Sequence, residues 1–196
     1  MSIKVYTAIT GGFESERTDI PCYFNYDRFV SPRMNAKIYK VLPQLFFSDE
    51  ITVWLDGNIF LQQESELFIR DFLGDADMAV FEHPGRNCIY QEGALCHTLG
   101  LDNRSIIRQQ LEHYLMQEYP KDAGLAECGV LVRRNTDLVN AFNLHWWGQI
   151  CRWSSRDQIS FMYSLSKFRD LKVRFNPSNA RWDPRFKYIT RPSSKS

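Results

Sequence analysis

Short apolar, β-branched runs alternate with helix-spaced stripes along most of the chain, and that alternation restricts the possible folds more than any other feature of the sequence. Ile3 to Thr10, Ile51 to Leu55, Met78 to Phe81, Cys128 to Val132 and Lys172 to Phe175 read as strands. Between them, Ser31 is suited to cap a helix and Pro32 to open it, and Met34, Ile38, Val41 and Leu45 follow at helical spacing. Further helices are predicted from about Glu64 to Leu73, from Asn103 to Glu118, from the capping Thr136 through Trp153, and from near Arg156 through Phe168. The pattern predicts an α/β layered fold with a mostly parallel central sheet flanked by helices. With no internal repeat, linker or low-complexity block, one domain over residues 1–184 is expected, followed by a flexible tail over 185–196.

A length of 196 residues is enough to bury a full core without disulfides or metals. A formal net charge of +1 argues against broad nucleic-acid binding, which needs a basic face, while leaving room for a local basic pocket. Five scattered cysteines with no C-x-x-C pair, and no secretory signal ahead of the first strand, set the expectation of a reducing, cytoplasmic location. No apolar run is long enough to span a bilayer.

In parallel sheets ligands sit outside the carboxyl ends of the strands, where Gly11-Gly12, Asp56-Gly57-Asn58 and Glu82-His83 would lie. Asp56-Gly57-Asn58 is the most informative of these. Oxygen ligands suit Mg²⁺ or Mn²⁺, and Gly57 would let the chain turn so that Asp56 and Asn58 face one ion; Asp-Gly and Gly-Asn are equally common in plain surface turns. Arg33, Lys37 and Lys40 share one helix face at the positive end of the helix dipole. They could attract a diphosphate or form a solvated basic face. The tryptophans of the 136–153 helix fit a core better than a ligand platform.

These pieces resemble a GT-A fold glycosyltransferase, and more specifically the plant and microbial mucilage-related glycosyltransferase-like family. The resemblance rests on Val5 to Phe13, on Trp54-Leu55-Asp56-Gly57-Asn58, on His83-Pro84-Gly85-Arg86 with Tyr90-Gln91-Glu92, on Leu125-Ala126-Glu127, and on Arg156 to Phe161, in order along nearly the whole chain. It implies a nucleotide-sugar donor and a glycan or other hydroxyl acceptor. Thr7, Ala8, Gly11 and Gly12 would hold the base and ribose, and Arg33, Lys37, His83, Arg86, Arg156 and Gln158 would be further donor contacts. Asp56 and Asn58 would stand where such enzymes carry their D-x-D metal motif for Mn²⁺ or Mg²⁺, with neutral Asn58 a departure at the second position. His83, water, the donor phosphates or an asparagine such as Asn176 could complete the metal shell. Asp157 and Glu127 are candidates for the group that handles the acceptor hydroxyl, Asp157 being equally suited to cap its helix. A nucleotide-sugar or phosphate-ester hydrolase and a noncatalytic binding module are the alternatives.

Overall fold

The computed structural model describes residues 1–12 and 17–190. Its main sheet contains β1 (Ile3–Ala8), β2 (Cys22–Tyr23), β3 (Ile51–Leu55), β5 (Met78–Glu82), β6 (Ala126–Arg134) and β7 (Val173–Asn176), in the order β2-β1-β3-β6-β5-β7. A second sheet pairs β4 (Ile59–Leu61) with β8 (Phe186–Tyr188). The helices are α1 (Pro32–Val41), α2 (Ser65–Phe72), α3 (Ile89–Thr98), α4 (Arg104–Met116), α5 (Asp137–Arg152) and α6 (Asp157–Leu165). The expected α/β fold is present, and the main sheet is parallel except for β6, which runs against both β3 and β5. That reversal matters for the site, because it puts the start of β6 beside the carboxyl ends of β3 and β5.

The strand pleat divides the apolar residues between two cores. On one face Tyr6, Trp54, Met78, Val80 and Leu131 pack against α1, α3, α4, α5 and α6. On the other, Val53, Leu55, Ala79, Phe81, Val130 and Val132 pack against α2 and the small sheet. β3 is buried along its whole length, as a strand covered on both faces must be. Thr136 Oγ1 accepts the Val139 amide at 3.3 Å and so caps α5, whose Trp146 is fully buried as the helical stripe requires.

Two local expectations are corrected. The segment after Asp56, expected to be loop as far as Gln63, contains β4. The flexible tail expected from Arg185 instead supplies β8: Phe186 is buried against Phe68 and Phe81, and Arg185 pairs with Asp183 at 2.6 Å. The alternating polar residues Arg185 and Lys187 hid a strand that only a partner strand makes visible; residues 191–196 of that tail lie outside the described residues. At Gly57 the chain does turn, closed by the Ile59 amide donating to Asp56 O at 2.8 Å, and without a left-handed φ at the glycine.

Candidate functional site

A cleft of about 570 Å³ opens at the edge where β3 ends and β6 begins. α1 contributes Arg33, Lys37 and Lys40, β3 and its turn contribute Trp54, Asp56 and Asn58, β6 contributes Glu127 and Gly129, and the start of α6 contributes Arg156, Asp157 and Gln158. Four segments distant in sequence therefore meet in one place. Each sits at an element end, where side chains leave the core yet are held by a rigid backbone.

A buried ion cluster forms the floor. Lys40 Nζ lies 2.8 Å from Asp157 Oδ2 and 3.1 Å from Asp56 Oδ1, and Lys37 Nζ lies 3.0 Å from the same Asp157 oxygen. The indole of Trp54 also donates to Asp56 Oδ1, at 2.8 Å. Asp157 is placed by α5, since Trp146 Nε1 donates to its carbonyl at 3.1 Å. Burial alone would raise the Asp157 carboxyl, but Lys37 and Lys40 outweigh it and hold that carboxyl well below the usual carboxylate range. Burial likewise works against the Lys40 ammonium, and Asp157 and Asp56 more than reverse it, so Lys40 stays charged. Lys37, with less compensation, is drawn below the ordinary lysine value by its burial.

Glu127 behaves differently. Burial first, and the charge of Asp56 second, push its carboxyl up to about 7, against the pull of Arg181 and Lys40. Its Oε2 is buried without a hydrogen-bond partner. Gly129 lies between Glu127 and Asp56: a Cβ there would stand in ordinary contact with Asp56 Oδ2 and Glu127 Oε1, at 3.6 and 3.7 Å, and press on Ile59 Cδ1 at 3.0 Å. A larger residue would therefore push first on Ile59, at the start of β4.

The structure brings Ala8, Arg33, Lys37, Asp56, Asn58, Glu127, Arg156, Asp157 and Gln158 to this cleft. His83 and Arg86 lie in the adjoining hollow, where His83 Nδ1 accepts the amides of Gly85 and Arg86 at 3.2 and 3.1 Å and Arg86 pairs with Glu92 at 2.6 Å. Thr7 is fully buried within β1, and Gly11 and Gly12 form an exposed turn at φ 80 and 67; none of the three lines the cleft. Asn176 is bound to Phe72 O at 3.0 Å and Val80 O at 3.4 Å, so its amide secures β7 away from the cleft. Asn58 Nδ2 donates to Ile189 O at 3.1 Å, which ties the turn to the segment after β8. Among the described residues no three His, Cys, Asp or Glu side chains gather as a ready-made metal cluster.

Two contributors were not singled out from the sequence. Lys40 was visible only as the third member of the basic stripe, yet it is the cation at the centre of the cluster. Arg181 lies in a stretch with no motif. It reaches the cleft because its guanidinium packs 4.9 Å from the Tyr188 ring, a contact created by β8.

The family profile described as the TOD1/MUCI70, glycosyltransferase-like domain matches residues 24–181. This chain belongs to the TOD1/MUCI70 glycosyltransferase-like family. The matched span contains α1, the Asp56 turn, Glu127 and Asp157, so every part of the ion cluster lies within the TOD1/MUCI70 domain. A relative, the probable hexosyltransferase MUCI70 of Arabidopsis thaliana, is 29% identical over 140 residues, which cover 66% of this chain and 24% of that protein. The chain thus spans about a quarter of the length of that relative. The crystal structure of a glycosyltransferase involved in the glycosylation of the major capsid of PBCV-1 is similar with a TM-score of 0.48 and 12% identity, over 91% of this chain and 82% of that one.

Proposed function

We propose that this TOD1/MUCI70 domain transfers a sugar from a nucleotide-diphosphate donor to a hydroxyl of a glycan or related acceptor. What carries the proposal is the meeting in one cleft of an acidic strand end, a basic helix face and a carboxyl group poised near neutrality. Negative charge grows on the departing diphosphate during such a transfer, and fixed cations stabilise it best where the protein has already desolvated them. Arg33 at the rim and Lys37 and Lys40 below it supply that positive wall.

The acceptor hydroxyl needs a group to receive its proton. Asp157 is a poor choice, because its two lysines hold it as a firm anion whose Oδ2 is already engaged. Glu127 suits that role, since its pKa lies near neutral pH, one of its oxygens has no partner, and it faces the cleft. Asp157 then acts as the counter-ion that places Lys37 and Lys40.

The donor set also fits a hard divalent ion. Lys40 and Trp54 occupy Asp56 Oδ1 and leave Oδ2 toward the cleft, and Asn58 keeps its amide oxygen while its nitrogen is tied to Ile189. A carboxylate and an amide oxygen are the kind of sparse protein ligation that Mg²⁺ or Mn²⁺ accepts when phosphates complete the shell. Bound there, such an ion would supply Lewis-acid stabilisation of the leaving phosphate.

Calorimetric titration with nucleoside diphosphates and sugar nucleotides, in Mn²⁺ and in chelator, tests the proposal. Metal-dependent binding of one nucleotide class, abolished in a folded Asp56→Ala protein, is expected. Unchanged donor affinity in that variant would sink the metal assignment. Donor binding without transfer to any acceptor would leave a noncatalytic module, the alternative that the neutral Asn58 favours.

A further inference from the structure

Beyond Glu127 the cleft continues into a second hollow of about 370 Å³, and the two share Glu127, Arg156, Gln158 and Arg181. The donor-side cations and Asp56 lie only in the first, so Glu127 stands at the junction. The outer wall of the second hollow carries Trp182, whose ring is 77% exposed.

An exposed tryptophan on a slack loop would mean little. This one is mounted on a rigid base. Asn179 and Ala180 are almost completely buried, the amides of Trp182 and Asp183 both donate to Asn179 O at 3.1 and 3.0 Å, and Asn179 Oδ1 accepts the Arg181 amide at 2.8 Å. Asp183 is buried and forked to Arg185. The backbone is therefore fixed from both sides while the indole is left in solvent, an arrangement that lowers the ordering cost of stacking something upon it. The same hollow is lined by polar groups, two of them braced. Arg86 is held by Glu92, Gln158 Nε2 is held by Ala126 O at 3.1 Å, and Arg156 Nε is buried without a partner.

A flat apolar ring and held polar groups lining one hollow match a sugar ring, which presents C–H bonds on one face and hydroxyls around its edge. We propose that this hollow is the acceptor subsite and that Trp182 is the platform on which a sugar unit of a saccharide acceptor stacks, directing one of its hydroxyls to Glu127. The assignment rests on the glycosyl-transfer function proposed above, for it is Glu127 that joins the two spaces.

Binding to an array of defined oligosaccharides, using labelled wild-type protein, Trp182→Ala and Trp182→Tyr, tests it alongside calorimetric titration of each protein with nucleoside diphosphates and Mn²⁺. Because the ring is exposed, the alanine variant should fold normally. The expected result is saccharide binding by wild type that falls roughly tenfold or more in Trp182→Ala, recovers in Trp182→Tyr, and leaves nucleotide affinity unchanged. No saccharide bound by wild type, or equal binding by Trp182→Ala, overturns the subsite. Weaker nucleotide binding in Trp182→Ala overturns it too, by moving the platform to the donor. Saccharide binding that depends on Trp182 in a protein that binds no nucleotide upholds the saccharide platform and instead overturns the glycosyl-transfer function.

Discussion

Lys40 and Arg133 are both buried cations at the carboxyl end of α1, and they are satisfied in opposite ways. Lys40 is balanced by two carboxylates, Asp56 and Asp157, at the edge of the cleft. Arg133, 1% exposed, has no carboxylate among the hydrogen-bond and ion-pair partners found for it. Its guanidinium donates to Lys40 O at 2.7 Å, to the Tyr6 hydroxyl at 3.1 Å, to Asn143 Oδ1 at 3.3 Å and to Val41 O at 3.5 Å. The free carbonyls of a helix C-terminus carry partial negative charge, so Arg133 is compensated by the helix end itself. The same burial pushes the Tyr6 hydroxyl up to about 12, so it stays neutral beside Arg133. The difference separates function from framework. A cation matched to carboxylates can exchange partners when an anionic ligand arrives; a cation matched to backbone carbonyls fixes where a helix ends.

Four substitutions sharpen or break that contrast. Asp157→Ala leaves two buried ammonium groups with Asp56 as their remaining neighbour of opposite charge, and should destabilise the fold by about 3–5 kcal/mol, read as a lower urea midpoint. An unchanged midpoint would mean that the cluster is not buried in solution. Arg133→Met strips partners from the carbonyls of Lys40 and Val41 and should cost about 3 kcal/mol of stability, with nucleotide affinity per folded molecule retained. If affinity falls in step with stability, Arg133 is more than framework. Lys40→Met should also lower stability, less than Asp157→Ala because Lys37 still pairs with Asp157, and unlike Arg133→Met it should lower transfer per folded molecule by roughly 100-fold.

The smallest effect concerns Glu127. Its folded pKa is raised from 4.5 to about 7, so the folded state binds more protons than the unfolded chain between those values. The associated stability is fully present below about pH 4.5 and is lost as pH rises through about 7. Glu127→Gln, which cannot ionise, should therefore gain on wild type by about 1–3 kcal/mol at pH 8 and show no such gain at pH 4. Parallel stability profiles for the two proteins would remove the raised pKa. Transfer by wild type should rise with pH through about 7, and the glutamine variant should lose that rise along with most of its turnover.

Much of the framework was legible along the chain because its signals are local. The Ser31-Pro32 opening, the Met34-Ile38-Val41-Leu45 stripe and the apolar run of β3 each depend on neighbours a few residues away; β3 and the start of α1 lie where those signals put them, but α1 stops at Val41, and Leu45 is exposed in a 3₁₀ turn opened by Pro43. Asp56, Glu127 and Asp157 were also visible as candidates, since an acidic residue at an element end is marked by its position, and Lys37 was visible from the basic stripe along α1. β8 was not, because a three-residue strand with alternating charge has no meaning until β4 lies beside it. Arg181 and Trp182 depend on that same pairing and on the buried turn at Asn179.

The sequence by itself determined the alternation of strands and helices, their apolar faces, and which charged residues would stand at strand and helix ends, because periodicity and capping act over single turns. Only the tertiary structure decided what those charges do. Asp157 and Glu127 are both carboxylates lining the same cleft, yet two lysines pull one far down and burial beside Asp56 lifts the other to about 7. Burial and charge proximity depend on distances across the fold, and the reversal of β6 set those distances.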